Sequence, residues 1–231
     1  MEKIADIKAI SFDADGTLWD FEEVMRHSLH YVLQELQKHD SKAAALLSID
    51  KMIEIRSKAA EELKGKVTNL ETVRLESFRK TLETIGKSND TLAHHLNQIY
   101  LKHRYEDITL FNDVLPTLNK LQEKYTLGLL SNGNSYPERC GLEGMFQFIV
   151  FSQDHGVEKP DPKLFNIAVE KSGCTKSQLL HVGDSLETDI MGAMKSGIKC
   201  IWLNRRCAKN DLALRLNYEI TSLSELPEIL F

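Results

Sequence analysis

The sequence predicts an α/β protein with a Rossmann-like parallel sheet as its core and an inserted all-helical domain. Short apolar runs alternate with helical patterns through the second half of the chain, and one such run stands alone near the start. A long stretch without any strand pattern follows that first run. Strands that alternate with helices indicate a parallel sheet with right-handed crossovers, and 231 residues suffice for a core domain with a large insertion.

The net charge, apolar segments and cysteines of the sequence indicate which kinds of partner and which compartment to expect. The net charge of −5 does not favour a nucleic-acid polymer or an anionic membrane as partner. No segment approaches transmembrane length, and Met1–Asp6 lacks the apolar centre of a signal peptide. The four cysteines are widely spaced without a CxxC pair, which is typical of reduced thiols. We therefore expect a cytoplasmic protein that acts on a small molecule, with its oligomeric state left open.

Six apolar runs are predicted to be strands of the sheet. They are Ile7–Phe12, Tyr125–Leu130, Phe146–Phe151, Leu179–Val182, Lys199–Leu203 and a short run near Tyr218–Ile220. Between and after them, helices are predicted at 114–124, 135–142, 162–172 and 187–196, with a last one opened by Ser222. Asp161 and Pro162 have the residue types of a helix cap and first turn.

The inserted segment carries four helical stripes of apolar residues. The stripes contain Met25, Leu29, Val32, Leu33 and Leu36; Met52, Ile55, Ala59 and Leu63; Leu75, Phe78, Leu82 and Ile85; and Leu92, Leu96, Ile99 and Tyr100. Thr68 and Glu71 have capping-box spacing before the third stripe. We predict an α/β core formed by residues 1–18 and 107–231, and an inserted helical domain over 19–106.

Asp13 and Asp15 follow the first strand. Period-two geometry puts their side chains on the same side of the chain, and Gly16 permits a tight turn after them. Two carboxylates at a strand end can divide the work of phosphoryl transfer, one as nucleophile and the other as general acid and base. An Asx turn that only ends the strand is the alternative for this motif in isolation.

Two further segments end in residues suited to a phosphoryl group. Ser131 and Asn132 follow the second run, where a hydroxyl and backbone N–H groups can bind an anion. Lys159 lies before Pro160, which restricts its backbone and aims its ammonium group. Because the carboxyl ends of parallel strands meet at one edge, we expect these residues to lie beside Asp13.

Asp184 follows the fourth run, and Asp189 lies in the first turn of the next helix. Oxygen ligands of this kind suit Mg²⁺. Two carboxylates about 4 Å apart repel by roughly 4 kcal/mol at an effective dielectric constant near 20, and a phosphate adds to that repulsion. One lysine cannot offset this charge, so we expect Mg²⁺ between Asp13, Asp184 and the phosphate.

The order, spacing and strand context of these segments resemble the four motifs of the haloacid dehalogenase-like hydrolase superfamily, and the helical insert resembles its C1-type cap. The resemblance implies that Asp13 is the nucleophile and a Mg²⁺ ligand, and that Asp15 is the general acid and base and binds Mg²⁺ through its backbone carbonyl. It further implies that Ser131 and Lys159 hold the phosphoryl group and that Asp184 is the second carboxylate ligand. Asp189 matches a further acidic position of the family. From its place in the first helical turn it could bind a metal-bound water, brace the loop, or only stabilise the helix N-terminus.

The resemblance favours a phosphatase for small phosphorylated metabolites. The haloacid dehalogenases lack an acid at the position of Asp15, whose presence here points to phosphatase over dehalogenase. The segments Gly183–Ile190 and Ile201–Asn204 are similar to members that cleave nucleoside 5′-monophosphates or a sialic-acid 9-phosphate. Open alternatives are a phosphomutase, a phosphonate-cleaving or dehalogenating relative, and a non-catalytic binding protein, for which Asp15 would have no use.

Overall fold

The computed structural model describes residues 3–231, so Met1 and Glu2 of the N-terminal segment considered above lie outside the described residues. The chain divides into two compact units. One comprises the residues up to Asp20 together with Thr109–Phe231, and the other comprises Phe21–Ile108. Both junctions lie two residues beyond the predicted domain boundaries. Within the described part of the chain, every helix is too short or too polar to cross a membrane.

The first unit is built on a six-stranded parallel sheet, which confirms the predicted α/β class. The strands in chain order are β1 (Ala9–Phe12), β2 (Thr126–Ser131), β3 (Phe148–Phe151), β4 (Leu179–Gly183), β5 (Lys199–Leu203) and β6 (Glu219–Ile220). Their order in the sheet is β3-β2-β1-β4-β5-β6. Strands β1, β2 and β4 are buried along almost their whole length, which explains why they read as continuous apolar runs.

The strand register brings the predicted site residues to one edge. Phe12 at the end of β1 lies opposite Leu129 on one neighbour and Val182 on the other. The residues that follow these positions therefore emerge together at the carboxyl edge of the sheet. This edge is where ligands bind in open parallel sheets.

The second unit is entirely helical among its described elements. Its helices are α1 (Phe21–His39), α2 (Ser41–Ala44), α3 (Ile49–Leu63), α4 (Leu70–Thr84) and α5 (Asp90–Glu106). Most of the residues of the four predicted stripes meet in one apolar cluster, in which Val32, Leu82, Ala93 and Leu96 are fully buried. This unit therefore has a hydrophobic core of its own.

The start of α4 differs from the prediction. Asn69, rather than Thr68, is the N-cap residue, and its Oδ1 accepts hydrogen bonds from the backbone N–H groups of Glu71 (2.9 Å) and Thr72 (3.1 Å). Asparagine is among the best N-cap residues because its short side chain reaches these donors. The predicted capping box of Thr68 and Glu71 was therefore wrong by one residue.

Five further helices accompany the sheet: α6 (Val114–Leu121), α7 (Ser152–His155), α8 (Pro162–Ser172), α9 (Met191–Ser196) and α10 (Leu226–Leu230). Helix α8 packs its buried residues Leu164, Phe165 and Ala168 into a cluster with Leu130 and Val150 of the sheet. Asp161 caps α8 as predicted, with its carboxylate accepting from the N–H of Lys163 at 2.8 Å.

Two predicted helices are altered. The segment 135–142 contains only one 3₁₀ turn, Pro137–Arg139, because Pro137 has no N–H to continue a longer helix and Gly141 takes a left-handed backbone (φ +74°). The predicted helix at 187–196 begins with a π turn over Leu186–Ile190 before α9 continues it. That wider turn carries Asp189.

Candidate active site

A buried ammonium group lies at the centre of the carboxyl edge. Nζ of Lys159 donates hydrogen bonds to Oδ1 of Asp13 (2.6 Å), Oδ1 of Asp189 (2.5 Å) and the backbone carbonyl of Leu130 (2.8 Å). Burial alone would lower the pKa of Lys159, but Asp13 and Asp189 hold it above its ordinary value. Lys159 therefore places a fixed positive charge beside the carboxylate of Asp13.

Asp189 holds this ammonium in place. Its Oδ1 also accepts from Nε2 of His181 (3.1 Å), and its Oδ2 accepts from the N–H of Ser185 (3.0 Å). Burial would raise the pKa of Asp189, yet Lys159 and His181 keep it below its usual range. The other ring nitrogen of His181 lies 2.9 Å from Oγ of Ser11, so this histidine is satisfied in the interior and fixes the orientation of Asp189.

The loop after β4 is shaped around Asp189. A Cβ atom on Gly183 would overlap the carboxyl group of Asp189. Only glycine at position 183 lets the carboxylate approach the strand end closely enough to reach both Lys159 and His181.

The site carries more negative than positive charge. Oxygen atoms of Asp13, Asp184 and Asp189 lie within 4.8 Å of one another, and Lys159 is the cation bonded to two of these residues. Burial raises the pKa of Asp13 well above its ordinary value, and Asp189 and Asp184 add to the rise while Lys159 opposes it. Burial and then Asp189 raise the pKa of Asp184 to about 6.

These observations fit a divalent cation. The donors are hard carboxylate oxygens, and the raised pKa values show that the ionised carboxylates lack full compensation. The three clustered side chains include Asp189 in place of the predicted Asp15, whose carboxylate points elsewhere. A role for Asp15 as a ligand therefore depends on its backbone carbonyl, as the resemblance implied.

The carboxylate of Asp15 is oriented by a tryptophan. Nε1 of Trp19 donates to Oδ1 of Asp15 at 2.8 Å, across a turn closed by the hydrogen bond from the N–H of Gly16 to the carbonyl of Trp19. On its other side the carboxylate lies against Gly133, where an added Cβ would stand 2.7 Å from Oδ2 of Asp15. Asp15 thus faces the loop after β2 while Asp13 faces Lys159.

That loop contains the two predicted phosphate-binding residues. Oγ of the buried Ser131 accepts a hydrogen bond from the N–H of Gly133 at 2.9 Å. The side chain of Asn132 is instead bonded to the backbone of Lys159, accepting from its N–H (2.7 Å) and donating to its carbonyl (3.0 Å). Asn132 therefore links the β2 loop to the lysine segment, and its side chain is used there instead of on a phosphoryl group.

Several positioning contacts were not predicted from the sequence. Nε1 of Trp202, in β5, donates to the carbonyl of Asp184 (2.8 Å). The guanidinium group of Arg205 donates to the carbonyl of Thr17 and forms a two-pronged ion pair with Asp113 (2.8 and 2.9 Å). In the sequence, Trp202 lies within the strand that neighbours β4, and Arg205 lies just after that strand. This position alone does not identify the group that either side chain contacts.

Comparison with known families identifies the chain. The sequence model of the haloacid dehalogenase-like hydrolases matches residues 7–197, a range that includes every site residue predicted from the sequence. The chain therefore belongs to the haloacid dehalogenase-like hydrolase family and is an enzyme of that family.

Individual relatives span nearly the whole chain. Human (Homo sapiens) N-acylneuraminate-9-phosphatase is 28% identical over 98% of this chain and 95% of its own length. Pyrimidine 5′-nucleotidase YjjG of Escherichia coli (strain K12) is 27% identical over 96% of both chains. A 2-haloacid dehalogenase from Pseudomonas syringae pv. Tomato DC3000 is 31% identical over 96% of this chain and 97% of its own, with a TM-score of 0.81.

Proposed function

We propose that this protein is a Mg²⁺-dependent phosphomonoesterase that hydrolyses a small phosphorylated metabolite through an aspartyl-phosphate on Asp13. The observation that carries the proposal is the pairing of two differently held carboxylates. Asp13 is bonded to the buried ammonium of Lys159, and Asp15 is held by Trp19 of its own turn and faces the loop after β2. One carboxylate is thus placed to attack and the other to exchange protons.

In the first step, a carboxylate oxygen of Asp13 forms a bond to phosphorus while the ester P–O bond breaks. Asp15 gives its proton to the departing alkoxide, which leaves as an alcohol. Lys159 and the N–H groups of the β2 loop stabilise negative charge on the phosphoryl oxygens.

In the second step, water attacks phosphorus and the bond to Asp13 breaks, which releases inorganic phosphate. Asp15, now ionised, takes a proton from that water and returns to its starting state. Asp13, Asp184 and the backbone carbonyl of Asp15 would hold Mg²⁺, which supplies charge neutralisation for the carboxylates and the phosphoryl group. Asp189 holds Lys159 and stays ionised throughout.

Asp15 favours this reaction over dehalogenation, although a dehalogenase is among the similar structures. A halide leaves without a proton, so a displacement at carbon has no use for a general acid held beside the nucleophile. A phosphomutase is distinguished by its product, because it returns the phosphoryl group to substrate and releases no phosphate.

Two substrate classes are favoured within the proposal. The names of the relatives refer to a sugar-acid 9-phosphate and to pyrimidine 5′-nucleotides. We therefore expect turnover of sugar phosphates or nucleoside 5′-monophosphates above other phosphate esters.

Release of inorganic phosphate tests the proposal. The purified protein is assayed on p-nitrophenyl phosphate, nucleoside 5′-monophosphates, sugar phosphates and phosphoglycolate, with Mg²⁺ and with a chelator. We expect Mg²⁺-dependent release that falls at least a thousandfold in Asp13→Asn. Asp154→Asn, a change at an exposed carboxylate of α7, is the matched control and should keep the wild-type rate. Equal rates in Asp13→Asn and wild type would overturn the covalent mechanism, and no release from any substrate would overturn the phosphatase proposal.

A further inference from the structure

A second group of metal-ligating side chains lies within the helical unit. Glu35 and His39 come from α1, and His95 comes from α5. Oε1 of Glu35 lies 2.9 Å from Nε2 of His95 and 3.7 Å from Nε2 of His39. The three ligand atoms all lie within 4.8 Å of one another. These residues form no part of the phosphatase site described above.

The fold beneath this group explains why the side chains converge. Glu35 and His39 are one helical turn apart, so both project from the same face of α1. Leu36 between them is buried in the apolar cluster of the helical unit, as is Leu96 next to His95 on α5. The two helices are thus held against each other by their cores, and the three side chains meet above that contact.

We propose that Glu35, His39 and His95 form a binding site for Zn²⁺ or a similar transition-metal cation, with water completing the coordination. Two imidazoles and a carboxylate are a common ligand set of Zn²⁺ sites that keep one position open. With bonds of about 2.0–2.1 Å, neighbouring ligand atoms of a tetrahedral site lie roughly 3.3 Å apart. The two separations from Glu35 fall on either side of that value.

The chemistry of the ligands selects the cation. Imidazole nitrogen favours Zn²⁺ and its neighbours in the transition series, whereas Mg²⁺ prefers oxygen. The site would therefore discriminate against the Mg²⁺ expected at Asp13 and Asp184.

The site is accessible to a cation from solution. The side chains of His39 and His95 are 50% and 43% exposed. His39 also lines a groove of about 420 Å³ with Leu36, Asp40 and Leu92. Lys38 donates to the other oxygen of Glu35 at 3.0 Å, but its side chain is 74% exposed and can release that contact into water. Lys38 thus competes with a cation for Glu35 without blocking the two histidines.

Zn²⁺ binding is tested on the full chain by competition with a chromophoric chelator. Millimolar Mg²⁺ is present throughout to occupy the oxygen-rich site. We expect one Zn²⁺ site in the wild type whose affinity falls at least tenfold in His39→Ala and in His95→Ala. His94→Ala is the matched control, because His94 is a neighbouring exposed histidine of α5 that pairs with Asp90; its affinity should equal that of the wild type. Circular dichroism checks that each variant is folded.

Lys38→Met gives an independent arm that leaves all three ligands intact. Removal of the competing ammonium should tighten Zn²⁺ binding severalfold, and Zn²⁺ should raise the Tm of the wild type but not of His39→Ala. Unchanged affinity in both His39→Ala and His95→Ala would overturn the proposal. An equal loss in His94→Ala would also overturn it, because it would indicate diffuse binding to surface histidines.

Discussion

At the residue scale, two carboxylates only two positions apart have different surroundings. Asp13 faces an ammonium and two other carboxylates, whereas Asp15 faces an indole N–H and a glycine backbone. Such different surroundings suit one carboxylate to act as the nucleophile and the other to act as the general acid. The proposed chemistry thus depends on the local turn from Asp13 to Trp19 as much as on the identity of the two acids.

Replacement of Asp15 by Asn should slow alkyl phosphates more than p-nitrophenyl phosphate. An alkoxide needs a proton to leave, whereas p-nitrophenolate is a good leaving group without one. We expect kcat to fall about 10²–10⁴-fold on an alkyl phosphate. On the aryl ester, the rate of the first step should fall less, and stopped-flow detection of p-nitrophenol measures that rate.

Trp19→Phe provides the matched variant for this effect. It removes the hydrogen bond to Asp15 but keeps the acid and most of the ring volume. The same dependence on leaving group, at smaller amplitude, is expected. Equal losses on both ester types in Asp15→Asn would contradict the general-acid role.

Asp184→Asn should stabilise the metal-free protein at neutral pH. The pKa of Asp184 is about 6 in the folded protein against an ordinary 3.8. The folded state therefore binds this proton more tightly than the unfolded state, and stability falls as pH rises from about 4 to about 6. Above that range the ionised carboxylate costs at most about 3 kcal/mol, a value reduced by solvent screening of this partly exposed side chain, and the amide avoids this cost.

Thermal unfolding with a chelator present checks this expectation. The Tm of Asp184→Asn should exceed that of the wild type at pH 8, and the difference should shrink toward pH 4. Mg²⁺ should raise the Tm of the wild type and leave the variant unchanged. A variant that is less stable than the wild type at pH 8 without metal would show that Asp184 is not electrostatically strained.

At the element scale, the strands bring the site together and short turns orient it. Strands β1, β2 and β4 are adjacent and parallel, so that the residues after them meet. The π turn over Leu186–Ile190 then carries Asp189 back toward Gly183 and His181.

The start of α4 offers a test of element boundaries. Asn69→Ala should lower the free energy of unfolding by about 1 kcal/mol, because two backbone N–H groups lose their acceptor. Thr68→Ala should change it by less than about 0.5 kcal/mol. Denaturant titration measures both, and a larger loss for Thr68→Ala would restore the capping box that the sequence suggested.

The strands and most helices could be predicted because their apolar periodicity is a local property of the sequence. Residues 135–142 could not, since the pattern there indicates a helix while Pro137 and Gly141 limit it to one turn. For the site, the acids and Lys159 were identifiable from their positions after apolar runs. Two contacts could not be predicted: the hydrogen bonds of the Asn132 side chain to the Lys159 backbone, and the hydrogen bond of Trp19 to Asp15. These contacts depend on how separate loops pack.

At the scale of the whole molecule, two units with separate hydrophobic cores carry separate groups of ligands. The α/β unit presents oxygen ligands at the carboxyl edge of its sheet, and the helical unit presents two imidazoles and a carboxylate on α1 and α5. Ligand type makes one suited to Mg²⁺ and the other to Zn²⁺. A cation of each kind should therefore stabilise the chain independently, as additive increments in Tm.

The proposed mechanism requires that Asp13 carries the phosphoryl group between substrate and water. Its most direct test is acid quenching of Asp15→Asn after mixing with Mg²⁺ and p-nitrophenyl phosphate, followed by mapping of the phosphorylated peptide. This variant should release about one equivalent of p-nitrophenol rapidly and accumulate a hydroxylamine-sensitive acyl-phosphate on Asp13, since water attack lacks its base. Steady turnover with no phosphoryl group on Asp13, or a phosphoryl group found on another residue, would rule out Asp13 as the nucleophile.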